Sequence, residues 1–102
     1  MADIVKARRE GMRWNIIVAL DKARPIGAMD VLLLDVVRCI YADATPNELQ
    51  QQLDYLAGRK MVDIDKRADG HWYAKLTALG VDIAEYTVEC REGIARPKKY
   101  WG

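Results

Sequence analysis

Side chains that can make paired hydrogen bonds recur along one short stretch of the chain, residues 46–57. An asparagine or glutamine can bind the edge of adenine through two hydrogen bonds, and an aspartate can accept one from cytosine. In a helix, residues three or four positions apart lie on one face. The candidates for base contacts are Asn47, Gln50, Gln51 and Asp54. The alternative is that residues 50–52 simply form a well-exposed helix surface.

Basic and aromatic residues that could contact phosphates lie at the end of this stretch and after it. Six are expected near its end and at the tip of a following hairpin: Tyr55, Arg59, Lys60, Lys66, Arg67 and His71. A second basic group lies at the two ends of the chain: Arg8, Arg9, Arg13, Arg96, Lys98 and Lys99. For the first three of these we favour a solvated helix face over a phosphate-binding arm, because charge runs usually lie at the surface.

Groups of residues that could carry catalysis are missing from the sequence. There is no serine, which excludes a serine nucleophile, and the one histidine, His71, lies in a predicted turn. Cys39 is expected in the core and Cys90 in the tail, and neither sits at ligand or nucleophile spacing from the histidine. We therefore predict that the chain is not an enzyme and that it binds no metal or cofactor.

Local signals predict the elements that would position these side chains. Thr45, Pro46 and Glu48 form a capping box with proline at the first helical position, and Gly58 is the expected stop. Leu49, Leu53 and Leu56 form the buried face of this helix. Alternating apolar residues on either side of a loop ending in Asp69–Gly70 predict a hairpin over residues 61–76.

The remaining segments complete a mainly α fold with a small antiparallel β-hairpin. Further helices are predicted over 3–23, 30–41 and 78–88, the first broken or bent at Gly11 and the second buried all round because it is almost wholly apolar. Residues 42–44 form a turn, with a possible short strand beside the hairpin. Residues 1–89 would form one domain and 90–102 a basic, aromatic tail whose Tyr100 and Trp101 dock on this chain or a second copy.

The segments "LDYLAGRKMVDI" and "GHWYAKLTALG" resemble the recognition helix, wing and exit helix of winged helix-turn-helix regulators of the MarR, PadR and ArsR kind. The similarity covers roughly residues 27–86. The wider chain resembles small proteins of Mu-like prophages, through "ARPIGA", "ELQQQLDYL", "AKLTALGVDIAEYTVEC" and "GIARPKKYW". The resemblance implies a winged helix-turn-helix protein in a phage context.

Charge is distributed unevenly along the chain, and this leaves two hypotheses open. Residues 1–24 and 90–102 each carry a net +3, whereas residues 25–89 carry −5. The first hypothesis is a homodimeric regulator or accessory factor that binds double-stranded DNA. The second is a protein-interaction module that binds a second copy or other phage proteins, because an acidic middle binds phosphates poorly. No signal peptide or membrane-spanning run occurs, so the cytoplasm is the expected location.

Overall fold

The computed structural model describes residues 3–98, and these form four helices and a three-stranded antiparallel sheet. The helices are α1 (Ile4–Lys22), α2 (Asp30–Arg38), α3 (Pro46–Gly58) and α4 (Ala78–Ala84). The strands are β1 (Ala28–Met29), β2 (Val62–Lys66) and β3 (Trp72–Leu76). This order and the sheet topology are consistent with an α/β fold of the winged-helix-like type.

Helix α1 runs from Ile4 to Lys22 without interruption, so the predicted break at Gly11 is wrong. Asp3 caps the helix by accepting a hydrogen bond from the Lys6 backbone N–H at 3.0 Å. Gly11 instead serves packing: a Cβ at this position would collide with the hydroxyl of Tyr41. The glycine therefore allows the segment after α2 to approach the middle of α1.

The sheet has the order β1-β3-β2. The predicted hairpin is confirmed, with Ile64 opposite Ala74, and the exposed Asp63 opposite Lys75. The third strand is Ala28–Met29 rather than residues 42–44, which form a turn and its flanks. Gly27 makes this pairing possible: its φ is +89°, and a Cβ would collide with the Ala74 carbonyl oxygen on β3.

Helix α2 is buried on one face only, so the prediction of burial all round is wrong. Leu33, Leu34 and Val37 are buried against the core. The opposite face is exposed and includes Val31 (51%), Leu32 (55%) and Val36 (37%), and Ile40 just beyond the end of the helix is 58% exposed. The helix ends at Arg38, before the predicted Tyr41, and Cys39 is exposed rather than in the core. A short helix lying against α1 and α3 has no neighbour for its outer face among the described residues.

Helix α3 begins as predicted and ends differently. Thr45 Oγ1 accepts from the Glu48 backbone N–H at 3.1 Å, and Leu49, Leu53 and Leu56 are buried. Gly58 lies inside the helix, and Lys60 takes the left-handed conformation, with φ of 67°. The Met61 and Lys60 N–H groups bond to the Leu56 and Ala57 carbonyls, which is a Schellman ending built on lysine instead of glycine.

Helix α4 ends at Ala84 and not at the predicted Val88. Its ending is also a Schellman motif. Tyr86 has φ of 63°, and the Thr87 and Tyr86 N–H groups bond to the Asp82 and Ile83 carbonyls. The described part of the tail then returns to the domain. Ile94 is 9% exposed, and the Ala95 N–H bonds to the Glu10 carbonyl of α1. The predicted docking of Tyr100 and Trp101 lies outside the described residues.

Candidate nucleic-acid interface

The outer face of α3 carries the side chains predicted to contact bases. Asn47, Gln51 and Asp54 are exposed and Gln50 is half-buried. None of the three carboxamides makes a hydrogen bond to any residue between 3 and 98. Asp54 differs, because its carboxylate lies 3.3 Å from Lys66 Nζ at the end of β2. The face thus presents three carboxamides without a partner among residues 3–98 and one carboxylate that pairs with a lysine of the hairpin.

The inner polar face of α3 is bound to α1 through Arg8. The Nε and Nη2 groups of Arg8 donate to the two Glu48 carboxylate oxygens at 2.7 and 3.0 Å, and Nη2 also lies 2.9 Å from Asp43 Oδ1. The hydrogen bond from Arg8 lowers the pKa of Glu48 and that of Asp43. The Arg8 side chain is therefore a structural link and not part of a solvated face.

Arg13 makes a second set of contacts between α1 and α3, further along α3. Its Nε donates to Gln52 Oε1 and its Nη1 to the Gly93 carbonyl, both at 2.9 Å, and the guanidinium lies 3.5 Å from the Tyr55 ring centroid. Gln52 is 2% exposed, so the hypothesis that residues 50–52 are one exposed surface is wrong for this residue. A buried carboxamide needs a partner, and Arg13 supplies it.

Tyr55 and Arg59 lie next to the Arg13 contacts, at the end of α3. Tyr55 is half-buried, and the Arg59 guanidinium lies 4.9 Å from its ring centroid. Arg59 and Lys60 are exposed, while Arg9 on α1 is half-buried and lines the same cavity as Arg59. The structure therefore brings Arg9, Arg13 and Arg59 together, three basic residues that the sequence placed in separate groups.

The basic residues of the hairpin are held by contacts within the chain. Lys66 Nζ lies 4.3 Å from the Trp72 ring centroid as well as near Asp54. The Arg67 guanidinium lies 4.9 Å from the Tyr73 ring centroid, and its Nε is 3.6 Å from an Asp65 carboxylate oxygen. These contacts aim the two cations along the surface of the hairpin.

His71 is exposed at the hairpin, as expected, but it has a partner that sequence reasoning missed. Its Nδ1 lies 3.2 Å from Oδ1 of Asp30, whose other carboxylate oxygen accepts from the Trp72 N–H at 3.1 Å. Asp30 is only 8% exposed. The sequence did contain a signal for such a partner. Asp30 is an acidic residue at the start of an apolar helix, and a buried carboxylate requires hydrogen-bond donors.

A cleft of about 280 Å³ lies between α2, the start of α3 and the hairpin tip. Its lining includes Leu34 and Leu49 on the apolar side and Arg38, Gln50 and His71 on the polar side. Gln50 thus borders both the outer face of α3 and this cleft.

Among the basic residues of the tail, Arg96 lies at the end of α4 and not on the outer face of α3. Arg96 Nη1 donates to the Ile83 and Val88 carbonyls at 3.0 Å, and its guanidinium lies 4.3 Å from the Tyr86 ring centroid. Lys98 is exposed, and Lys99 lies outside the described residues. Arg96 therefore binds backbone carbonyl groups in the last turn of α4 and just after it.

Over the part of the chain that the structure describes, no group of three or more His, Cys, Asp and Glu side chains could hold a metal ion. None of the described helices is both long enough and apolar enough to cross a membrane.

Comparison with known proteins gives a structural likeness and no family. No protein-family model matches the chain, and no curated protein matches it. Solved structures that match include one from Ralstonia eutropha JMP134, described as a "putative DNA-binding protein", with a TM-score of 0.63. The match covers 76% of this chain and 95% of that one at 17% sequence identity. At this identity the likeness shows a shared fold.

Proposed function

We propose that this chain is a winged-helix protein of the cytoplasm that binds double-stranded DNA without catalytic activity. In this proposal α3 lies in the major groove and the β2–β3 hairpin lies beside it on the backbone or in the minor groove. The resemblance to Mu-like prophage proteins further suggests a phage-type transcriptional regulator or a DNA-associated accessory factor. The structural neighbour's description is in keeping with the proposal.

The observation that carries this proposal is the difference between the two polar faces of α3. On the inner face, Glu48 and Gln52 are both used by arginines of α1. On the outer face, the side chains of Asn47, Gln50 and Gln51 bond to no described residue. Carboxamides on an exposed helix, free to bond elsewhere, are the groups that bind adenine in the major groove.

Electrostatics restrict how the surface could hold a duplex. Pairing with Lys66 offsets the charge of Asp54, and Arg67 offsets that of Asp65. Exposed Arg59 at the end of α3 is then available to a phosphate. A homodimer would place two α3 helices and two sets of such cations on one duplex, which raises affinity without a strongly basic surface.

A salt-titrated binding assay on a pool of random-sequence duplexes tests the proposal. We expect binding at low salt that weakens steeply as salt rises, because phosphate contacts release counterions. Arg59→Ala and Arg67→Ala should each weaken binding and reduce the salt slope by about one. Lys22→Ala, an exposed lysine at the far end of α1, is the matched control and should bind as the unaltered protein does.

Selection of a preferred duplex from the same pool tests the role of the carboxamides. Gln50→Ala and Gln51→Ala should reduce the preference for the selected sequence by about ten-fold while nonspecific affinity is kept. Absence of binding to any duplex at low salt would refute the proposal.

The exposed face of α2 favours a second function, an oligomerisation module in phage assembly or packaging. Val31 and Leu32 on α2, and Ile40 just after it, are each more than half exposed, and exposed apolar patches commonly mark contacts with another chain. Light scattering tests this function: an oligomer that Leu32→Asp converts to a monomer, together with no DNA binding by either form, would support it over the first proposal.

A further inference from the structure

Four cationic side chains without an ion pair to a described residue line one cavity of about 280 Å³. Three come from α1 (Lys6, Arg9 and Arg13), and the fourth, Arg59, comes from the end of α3. Their spacing of three and four residues puts the α1 members on one side of that helix. Neighbouring Arg8, by contrast, is paired with two carboxylates. The cavity therefore gathers positive charge that the described residues leave unpaired.

Arg13 is fixed in place at the wall of this cavity. Its Nε and one N–H of Nη1 are used by Gln52 and by the Gly93 carbonyl, and Tyr55 supports the plane of the guanidinium. An arginine has five N–H donors, so three remain for a ligand. A guanidinium already held in position loses little freedom when it binds an oxyanion through two parallel hydrogen bonds.

The tail forms the other side of the cavity. Gly93 has φ of +95°, and a Cβ there would collide with the Tyr55 hydroxyl, so the backbone lies directly against the ring. The Ala95 N–H bond to Glu10 and the burial of Ile94 hold this segment on α1. The cavity is thus formed by three separate parts of the chain that are joined by hydrogen bonds.

The charge of the cavity limits the class of ligand. Two carboxylates, Glu10 and Glu92, share the lining with the four cations, which leaves a net excess of two positive charges. Burial lowers the pKa of Arg13, and the charges of Arg9 and Arg59 act in the same direction, against Tyr55 and Glu10. A bound dianion would relieve this repulsion between like charges.

We propose that this cavity binds a phosphate group, held by Arg13 and Arg59 with Arg9 and Lys6 around it. The site stands independently of the free carboxamides on the outer face of α3. The phosphate group could belong to a small phosphorylated molecule or to the backbone of a nucleic acid, and the experiments below separate these two sources.

Titration with inorganic pyrophosphate, followed by calorimetry and by NMR of backbone and arginine Nε–H signals, tests the site. We expect saturable binding that shifts signals of α1, Tyr55 and Gly93. Arg59→Gln and Arg9→Gln should each weaken it by about ten-fold or more, because each removes one charged donor. Lys60→Gln, next to Arg59 in sequence but not in the cavity lining, is the control and should change affinity less than about two-fold.

Competition with a duplex separates the two sources of phosphate. If a small molecule is the ligand, Arg9→Gln weakens pyrophosphate binding and leaves duplex affinity unchanged. If the nucleic-acid backbone fills the site, the duplex displaces pyrophosphate, and Arg9→Gln weakens duplex binding as well. Gln50→Ala and Gln51→Ala should leave pyrophosphate affinity unchanged, so failure of the DNA proposal would not affect this test.

Equal pyrophosphate affinity in the unaltered protein and in the Arg9→Gln/Arg59→Gln double variant would overturn the proposal, as would the absence of saturable binding. Thermal unfolding of the same variants provides a check on folding. The side chains of Arg9 and Arg59 make no hydrogen bond or ion pair to a described residue, and that of Arg59 only lies 4.9 Å from the Tyr55 ring centroid, so we expect the double variant to unfold near the temperature of the unaltered protein.

Discussion

Arg8 and Glu48, forty residues apart in the sequence, are joined by two hydrogen bonds that link the first turn of α3 to α1. Both side chains are about one-quarter exposed. The pair fixes the axial position of α3, and so it also fixes where the outer carboxamides point. A paired, partly buried arginine–carboxylate contact holds geometry better than a fully solvated pair does.

The Arg8–Glu48 pair predicts a loss of stability in acid. The pKa of Glu48 lies below its ordinary 4.5 and that of Asp43 below 3.8. A lowered pKa means that this stabilisation is present above the ordinary value and is lost as the pH falls through the folded-state value. The free energy of unfolding, measured with urea, should therefore decline between about pH 5 and pH 3.

Replacing one carboxylate tests this prediction. Glu48→Gln should be less stable at neutral pH and should lose less stability on acidification. Asp63→Asn changes an exposed carboxylate that has no ion pair among the described residues, and it is the control, with the pH profile of the unaltered protein. Identical profiles for Glu48→Gln and the unaltered protein would contradict the role of the pair.

The buried face of α3 predicts a large effect of shortening a leucine. Leu53 is 0% exposed, so Leu53→Ala should cost about 2–5 kcal/mol of unfolding free energy through lost burial and the cavity that remains. Gln51→Ala on the exposed side of the same helix should change it by less than about 0.5 kcal/mol. Urea unfolding measures both values, and similar costs at the two positions would show that the faces are misassigned.

Replacing glycine by alanine should have opposite effects on stability at two helical positions. A Cβ at Gly58 meets nothing within 4 Å, so Gly58→Ala should stabilise the protein by up to about 1 kcal/mol. A Cβ at Gly80 would collide with the Met61 carbonyl oxygen and press on Leu76, so Gly80→Ala should destabilise it. Thermal unfolding of the two variants should move in opposite directions, and a gain of stability at Gly80 would refute the close packing of α4.

The described part of the tail predicts that truncation destabilises the domain. Deleting residues 94–102 removes buried Ile94 and the Arg96 hydrogen bonds to the end of α4, and the melting temperature should fall. Ile94→Ala alone should cost about 2 kcal/mol or more. Val88→Ala, at a site 37% exposed, is the control and should cost much less. Unchanged melting after truncation would show that the tail only rests on the surface.

The sequence predicted those features that local residues determine. Thr45, Pro46 and Glu48 mark the start of α3, and alternation marks the hairpin, because capping and strand alternation depend on near neighbours. A helix end was harder to locate: Gly58 suggested the stop, yet the left-handed residue is Lys60. Propensity favours glycine at such a position, but the packing of the next strand decides where the chain turns.

Tertiary contacts explain what the sequence could not predict. Nothing near Arg13 indicates that Gln52 and Gly93 will lie beside it, and the pairing of Asp30 with His71 depends on how the hairpin meets α2. The uniform apolar character of α2 predicted burial, but packing with α1 and α3 covers only one face. Within the candidate interface, the exposed polar residues of α3 could be predicted from the sequence. The cluster of Arg9, Arg13 and Arg59 could not.

One set of polar side chains on α3 binds α1, and another set lies on the exposed face. The residues of the exposed set can therefore be changed without changing those that bind α1. Positions 47, 50 and 51 could be randomised with little effect on how the helix is seated, provided that proline and glycine are avoided. A single scaffold could then yield many folded proteins that differ only in what their exposed helix contacts. Positions 48 and 52 would offer no such freedom, since each change there would loosen the attachment to α1.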